Sequence, residues 1–167
     1  MVNKAQGAET NTQPEADELK KQNNKLNWWS DHTKKQLAKL WELLDQHIDE
    51  KTRDDIIEQL GRNCARSLGW PEKFKGDPDG FFKFMKERYG EEAVYDKEQG
   101  IITVATPERD CVCGMVNSKI TPAYFCNCSK GWQKEMYESL FGKSVKCELV
   151  ESVLQGSKRC VFKNTLR

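Results

Sequence analysis

Apolar residues recur every three or four positions up to about residue 90, whereas strand-type runs, Val145, Cys147 and Leu149 alternating with their neighbours among them, appear only beyond it, a mixture that excludes both a pure helical bundle and a pure β-barrel. Leu37, Leu40, Trp41, Leu44 and Ile48 form one helical stripe. Ile56, Ile57, Leu60, Cys64 and Leu68 form a second, ending at Gly69, and Phe81, Phe82, Met85 and Tyr89 a third, closed by Gly90. Thr52, with Asp55 three residues on, reads as the N-cap of the second helix, and Asp79 as that of the third. Ala93, Val94 and Tyr95 then pair with the β-prone run from Ile101 to Val104 across a glycine-containing loop, a hairpin signature. Ser129 reads as the cap of a fourth helix carrying Trp132, Met136, Leu140 and Phe141 and stopped by Gly142. Val145, Cys147 and Leu149 alternate with polar neighbours as a strand, and a turn over residues 155–158 returns the chain through Cys160, Val161 and Phe162. The expected fold is α+β: N-terminal helices packed on an antiparallel sheet, with one further helix before the last hairpin.

At 167 residues the chain has room for one core of ordinary size. Residues 1–27 hold Val2, Leu19 and Leu26 as almost their only sizeable apolar side chains, too little burial to offset the entropy of ordering, so they read as a disordered polar tail ahead of a single ligand-binding domain over 28–167. The tail lacks the apolar stretch of a signal peptide, which points to the cytoplasm; an exported chain trimmed of its leader would look the same. A formal net charge of +1 argues against capture of nucleic acid, and no apolar run approaches the length of a membrane span. The charge is nonetheless uneven: residues 28–110 sum to −4 and residues 111–167 to +5, so the cysteine-rich part is mildly cationic and compatible with an anionic small ligand or with an ordinary solvated surface.

Six of the seven cysteines fall between positions 111 and 160. Two Cys-x-Cys pairs, Cys111/Cys113 and Cys126/Cys128, on adjacent strands would each project both thiols from one face and so bring four sulfurs together, the number a closed zinc site uses. Cys160 is a further candidate ligand. Buried thiols acting as small hydrophobes and redox pairing are the competing readings. Cys128, just ahead of the helix opened by Ser129, is the best nucleophile candidate, because a helix N-terminus stabilises a thiolate. Its weakness is the lack of a histidine nearby in sequence: His32 and His47 both belong to the first helical region. Glu148 and Glu151, three apart on a strand, face opposite sides unless a bulge intervenes. Trp28, Trp29 and Trp132 could stack on a planar ligand or simply pack in the core.

The stretch from Val145 to Phe162, V-K-C-E-L-V-E-S-V-L-Q-G-S-K-R-C-V-F, resembles the closing hairpin of the 4-vinyl reductase domain family, in which an acidic strand leads through a glycine turn to Cys-x-Phe. G-R-N-C-A at 61–65, C-x-C-G at 111–114 and C-x-C-S-x-G-W at 126–132 look like a bacterial branch that includes 2-amino-thiazoline-4-carboxylate hydrolase-like proteins. The resemblance implies the α+β fold shared with haem-NO-binding domains and TRAPP vesicle-tethering subunits. It also implies a small-molecule pocket with a zinc held by a Cys ahead of the helix (Cys126 or Cys128), an acid on the penultimate strand (Glu148 or Glu151), a Cys beside that acid, and the Cys after the glycine turn (Cys160). The chain departs from this pattern at Ser152, which stands about where the second Cys is expected, with Cys147 the nearest thiol.

Three readings follow. The leading one is a sensory-type domain that binds a small molecule beside a Cys-rich zinc site, with Cys64, Trp132, Cys147, Glu148 and Glu151 at the pocket and Cys111, Cys113, Cys126, Cys128 and Cys160 as metal ligands. The alternative is a hydrolase of small sulfur-containing or cyclic amide substrates, using Cys128 or a zinc-bound water. The third is a homodimeric interaction module of the TRAPP kind.

Overall fold

The computed structural model describes residues 13–111 and 113–167. Helix α1 (Gln13–His47) is followed by α2 (Glu50–Ser67), the single turn α3 (Trp70–Lys73) and α4 (Pro78–Tyr89). Strands β1 (Glu92–Asp96) and β2 (Ile101–Ala105) form a hairpin, α5 (Cys126–Phe141) crosses over, and β3 (Val145–Glu151) and β4 (Val161–Leu166) complete the sheet. All pairings are antiparallel in the order β1-β2-β4-β3. The α+β architecture is the expected one.

Alternation decides which face of the sheet is covered. Ile102 and Val104 oppose Asn164 and Phe162, and Cys147 and Leu149 oppose the same two residues from the other side, so one face presents these side chains to the helices. There they join Ala65, Phe74, Phe81, Met85, Met136 and Tyr137 in the main core. A second cluster of Trp41, Ile57, Val116, Phe125 and Cys128 ties α1 and α2 to the start of α5.

Helices α2 and α5 cross at backbone contact. A methyl group on Gly61 would stand 1.8 Å from the carbonyl oxygen of Cys128, and one on Gly131 would stand 2.0 Å from that of Glu58. Ion pairs flank the crossing: Arg62 reaches Glu138 at 2.7 Å and Glu135 at 3.1 Å, and Lys134 reaches Glu58 at 2.6 Å.

Several local expectations shift. Asp49 caps α2, accepting from the Thr52 amide at 3.0 Å, and Asp77 caps α4 ahead of Pro78, accepting from the Gly80 amide at 2.9 Å. Ser129 caps nothing: α5 begins at Cys126, led in by a 3-10 turn over Ala123–Phe125, and Ser129 lies inside it. Both Cys126 and Cys128 are therefore helical, and the first Cys-x-Cys pair lies in irregular chain after β2, so no two strands align the four thiols. Two positions apart on a helix, side chains diverge rather than share a face. Residues 13–27 of the expected tail belong to α1, with residues 16–27 exposed, and residues 1–12 lie outside the described ones.

Candidate functional site

Between α2, α4, α5 and the covered face of the sheet lies a mostly apolar cavity of 290 Å³. Its position follows from the helix stripes. Cys64 comes from α2, Trp70 from α3, Met85 and Tyr89 from α4, Trp132 and Gln133 from α5, and Phe162 from β4. The rings of Trp70 and Trp132 meet edge to face, 6.0 Å apart, and build an aromatic wall.

The remaining wall is the segment after β2. Pro107 ends regular pairing there, but the chain stays tied to the residues ahead of β4. The Thr106 amide donates to the Cys160 carbonyl at 2.9 Å, the Cys160 amide donates to Thr106 Oγ1 at 2.9 Å, and the Arg109 amide donates to the Lys158 carbonyl at 3.2 Å. This ladder holds Arg109, Cys111 and Cys113 over the cavity.

Five of the seven thiols line it: Cys64, Cys111, Cys113, Cys128 and Cys160. All seven are free. Burial, with lesser contributions from neighbouring thiols, pushes the Cys128 thiol up to about 12 and, partly offset by the Cys113 amide, that of Cys111 up to about 11. Cys64 is raised for the same reasons. Cys126 sits behind the wall, its Sγ 3.1 Å from Ser152 Oγ, and burial raises its thiol despite that contact.

Of the residues singled out from sequence, the structure gathers Cys64, Cys111, Cys113, Cys128, Trp132 and Cys160 at one cavity. Cys147 is in the main core instead, 7% exposed, with its thiol pushed up to about 12 by burial. Glu148 and Glu151 lie elsewhere. The bulge at Val150 sets them opposite Lys163 and Val161, on the face of the sheet turned away from the helices. There Glu148 pairs with Lys146 at 2.8 Å and Glu151 with Arg159 at 3.4 Å.

The Cys-Glu-Cys-Cys zinc set implied by the resemblance does not fit this arrangement. Both acids are turned outward, Ser152 occupies the place of a thiol, and among the described residues no group of three or more His, Cys, Asp or Glu could hold a metal ion. For Cys128, a helix N-terminus would favour the thiolate, but burial wins and holds the group protonated. His32 stacks on Trp28 at 5.1 Å and His47 is exposed in the last turn of α1.

Arg109, Glu91 and Gln133 were not foreseen. Gln133 accepts a hydrogen bond from buried Asn164 at 3.1 Å. Burial pushes the Glu91 carboxyl up to about 7, and the charge of Arg109 only partly opposes this. Arg109 Nε and Nη2 are buried with no hydrogen-bond partner among the described residues.

An α+β domain with a mostly apolar cavity between helices and sheet is the class that the fold and site define. Over residues 4–167 the chain matches DUF6144, a family of unknown function, and it belongs to that family. No curated protein matches it. Among solved structures, it is similar to the phenol-responsive sensory domain of the transcription activator PoxR with phenol, at 12% identity and a TM-score of 0.51, covering 81% of this chain and 74% of that one. It is also similar to a trafficking protein particle complex subunit 3 from Naegleria fowleri covalently bound to palmitic acid, at 16% identity and a TM-score of 0.47, covering 82% and 96%. A third similar structure is a vinyl-4-reductase family protein from Methanocaldococcus jannaschii, at 14% identity and a TM-score of 0.39, covering 77% and 74%. The likeness to the PoxR domain is one of fold.

Proposed function

We propose that this chain is a sensory-type domain that binds a flat, mostly apolar small molecule in the cavity walled by Trp70, Trp132, Met85 and Phe162. The observation that carries this is the cavity itself. An apolar space of 290 Å³ in a well-packed domain of this size forfeits contacts that a ligand would restore, and its few inward polar groups are the pattern of a specific small-molecule site. The PoxR domain, of the same fold, is described as phenol-responsive, which supports a ring-sized ligand here. The motifs at 61–65, 111–114 and 126–132 support the narrower kinship with thiazoline-carboxylate hydrolase-like proteins, but the protonated, buried state of Cys128 argues against that residue as a nucleophile. A zinc has no part in this reading.

Isothermal titration with phenol, indole and benzamide tests it. At least one ring compound should bind the wild type and lose affinity about tenfold or more when Met115, half-buried in the wall, is replaced by Trp to fill the space. Absence of binding, or equal binding to Met115→Trp, would contradict the proposal.

A further inference from the structure

We infer that α1 is a dimerisation element: an exposed apolar seam along it pairs with the same seam of a second copy of this chain.

Helix α1 runs past the domain at its N-terminal end. Toward its C-terminus, Leu37, Trp41 and Leu44 join the cluster of Ile57, Phe125 and Cys128. Residues 16–31, by contrast, are exposed without a break, a run of about 24 Å at the rise of an α-helix. Asn23, Asn24, Asn27 and Ser30 make this a weak helix former, and a helix of such length draws its stability from packing of an apolar face. The domain gives it none.

The sequence supplies the face. Leu19, Leu26 and Leu40 share one position of a seven-residue repeat, with Thr33 between, and Trp29 and Leu43 fall three residues after Leu26 and Leu40, so the five form one seam. All are exposed, from 65% for Leu26 to 40% for Leu43. Gln22, Thr33 and Gln36 fill the remaining seam positions, where polar side chains fix register at some cost in stability. Trp28 falls outside the seam and stacks on His32.

A second copy is the occupant that this seam fits. Five such side chains from each of two copies come to roughly 1,000 Å², about the lower bound of a specific interface. A lipid surface fits worse, because α1 carries six lysines and six carboxylates, three of each within residues 16–31, and has no cationic excess. Among the described residues the other exposed large apolar side chains, Ile56, Leu68, Val94, Ile120 and Val150, are scattered over other elements. The surface of this chain that matches the seam in length and spacing is therefore the seam itself, which makes the pairing two-fold and self-complementary. The cavity draws its walls from other elements, so pairing through α1 leaves it untouched.

Sedimentation velocity of the full chain from about 1 to 100 µM, the range of a modest self-association, tests this. The wild type should pass from monomer to dimer, its helical circular dichroism rising as the seam pairs, and this series needs no variant. Leu26→Glu removes no contact within the domain. It should weaken dimerisation about 100-fold or more, with the domain's urea midpoint unchanged in dilute solution. Asn27→Glu, the same charge beside the seam, should stay within about twofold of the wild type. Vesicles of phosphatidylcholine and phosphatidylserine should bind none of the three. A wild type that stays monomeric throughout, or a dimer that Leu26→Glu leaves intact or that Asn27→Glu disrupts as much, would overturn the proposal. So would a monomer that binds the vesicles and loses them in Leu26→Glu, which would make the seam a lipid-facing one.

Discussion

Gly61 and Cys128 meet backbone to backbone, so that a single methyl group on the glycine would lie 1.8 Å from the cysteine carbonyl oxygen. The contact fixes how closely α2 approaches α5, and the cavity lies immediately beyond it, with Cys64 one turn along α2 and Trp132 one turn along α5. Gly61→Ala must push the two helices apart rather than rotate a side chain. A loss of ~2–3 kcal/mol in urea unfolding is expected, with weakened ligand binding, and Gly131→Ala should do the same through Glu58. A variant as stable as the wild type would show that the helices are not held at this distance.

Glu91 makes stability depend on pH in a direction opposite to that of a paired carboxylate. Its folded-state value of about 7 lies above the ordinary 4.5, so the folded protein holds this proton more firmly than the unfolded chain. Stability is therefore lost as pH rises from about 4.5 to 7 and is flat above that window. Glu91→Gln removes the penalty. Relative to the wild type it should gain on the order of 2 kcal/mol between pH 4.5 and 8, measured by denaturant unfolding at each pH. A pH-independent difference would contradict the burial of this carboxyl.

The thiols divide by reactivity. Cys128 and Cys147, both buried and both pushed up to about 12, carry almost no thiolate at pH 8 and should resist maleimide in the native protein while all seven react once it is unfolded. Peptide mass spectrometry after a timed reaction reads this directly. Rapid labelling of Cys128 would instead restore the nucleophile reading.

Arg62 bridges α2 to α5 with its side chain 17% exposed, facing Glu135 and Glu138 that are themselves largely covered. Arg62→Met keeps much of the packing but strands those carboxylates. The expected cost is ~1–3 kcal/mol at pH 7, smaller at pH 4, where the Glu138 carboxyl, which Arg62 holds below the ordinary range against the opposing effect of burial, can take up a proton once the guanidinium is gone. An equal cost at both pH values would mean that packing, and not charge, is what Arg62 supplies.

The architecture was legible because the strongest signals were periodic. The stripes through Trp41, Ile57, Phe81 and Met136 and the alternation through Ile102 and Val104 all reach the core. The start of α5 was not, because a 3-10 turn after Pro122 leads into the helix without a side-chain cap, and Ser129 carries the chemistry of a cap at a position already helical. Misplacing that start left Cys126 and Cys128 ahead of the helix in expectation, where a strand would have aligned their thiols. Their shared neighbourhood with Cys111, Cys113 and Cys160 was foreseen, but its geometry was not. Glu148 and Glu151 depended on whether a bulge intervened: one does, and it turns both toward solvent. Arg109 and Glu91 lie outside any periodic segment. What singles out Arg109 is burial of two donors without a partner, and Glu91 the burial of its carboxyl, tertiary properties with no local signature.

The cavity is tested most directly by its own thiols. Site-resolved alkylation should be followed with and without whichever ring compound binds best, at saturating concentration. An occupied cavity protects Cys64, Cys113 and Cys160, which line it from α2, from the loop after β2 and from the approach to β4, all three half-buried in the free protein. Unchanged labelling of these three with the compound bound would place the ligand elsewhere and contradict the account.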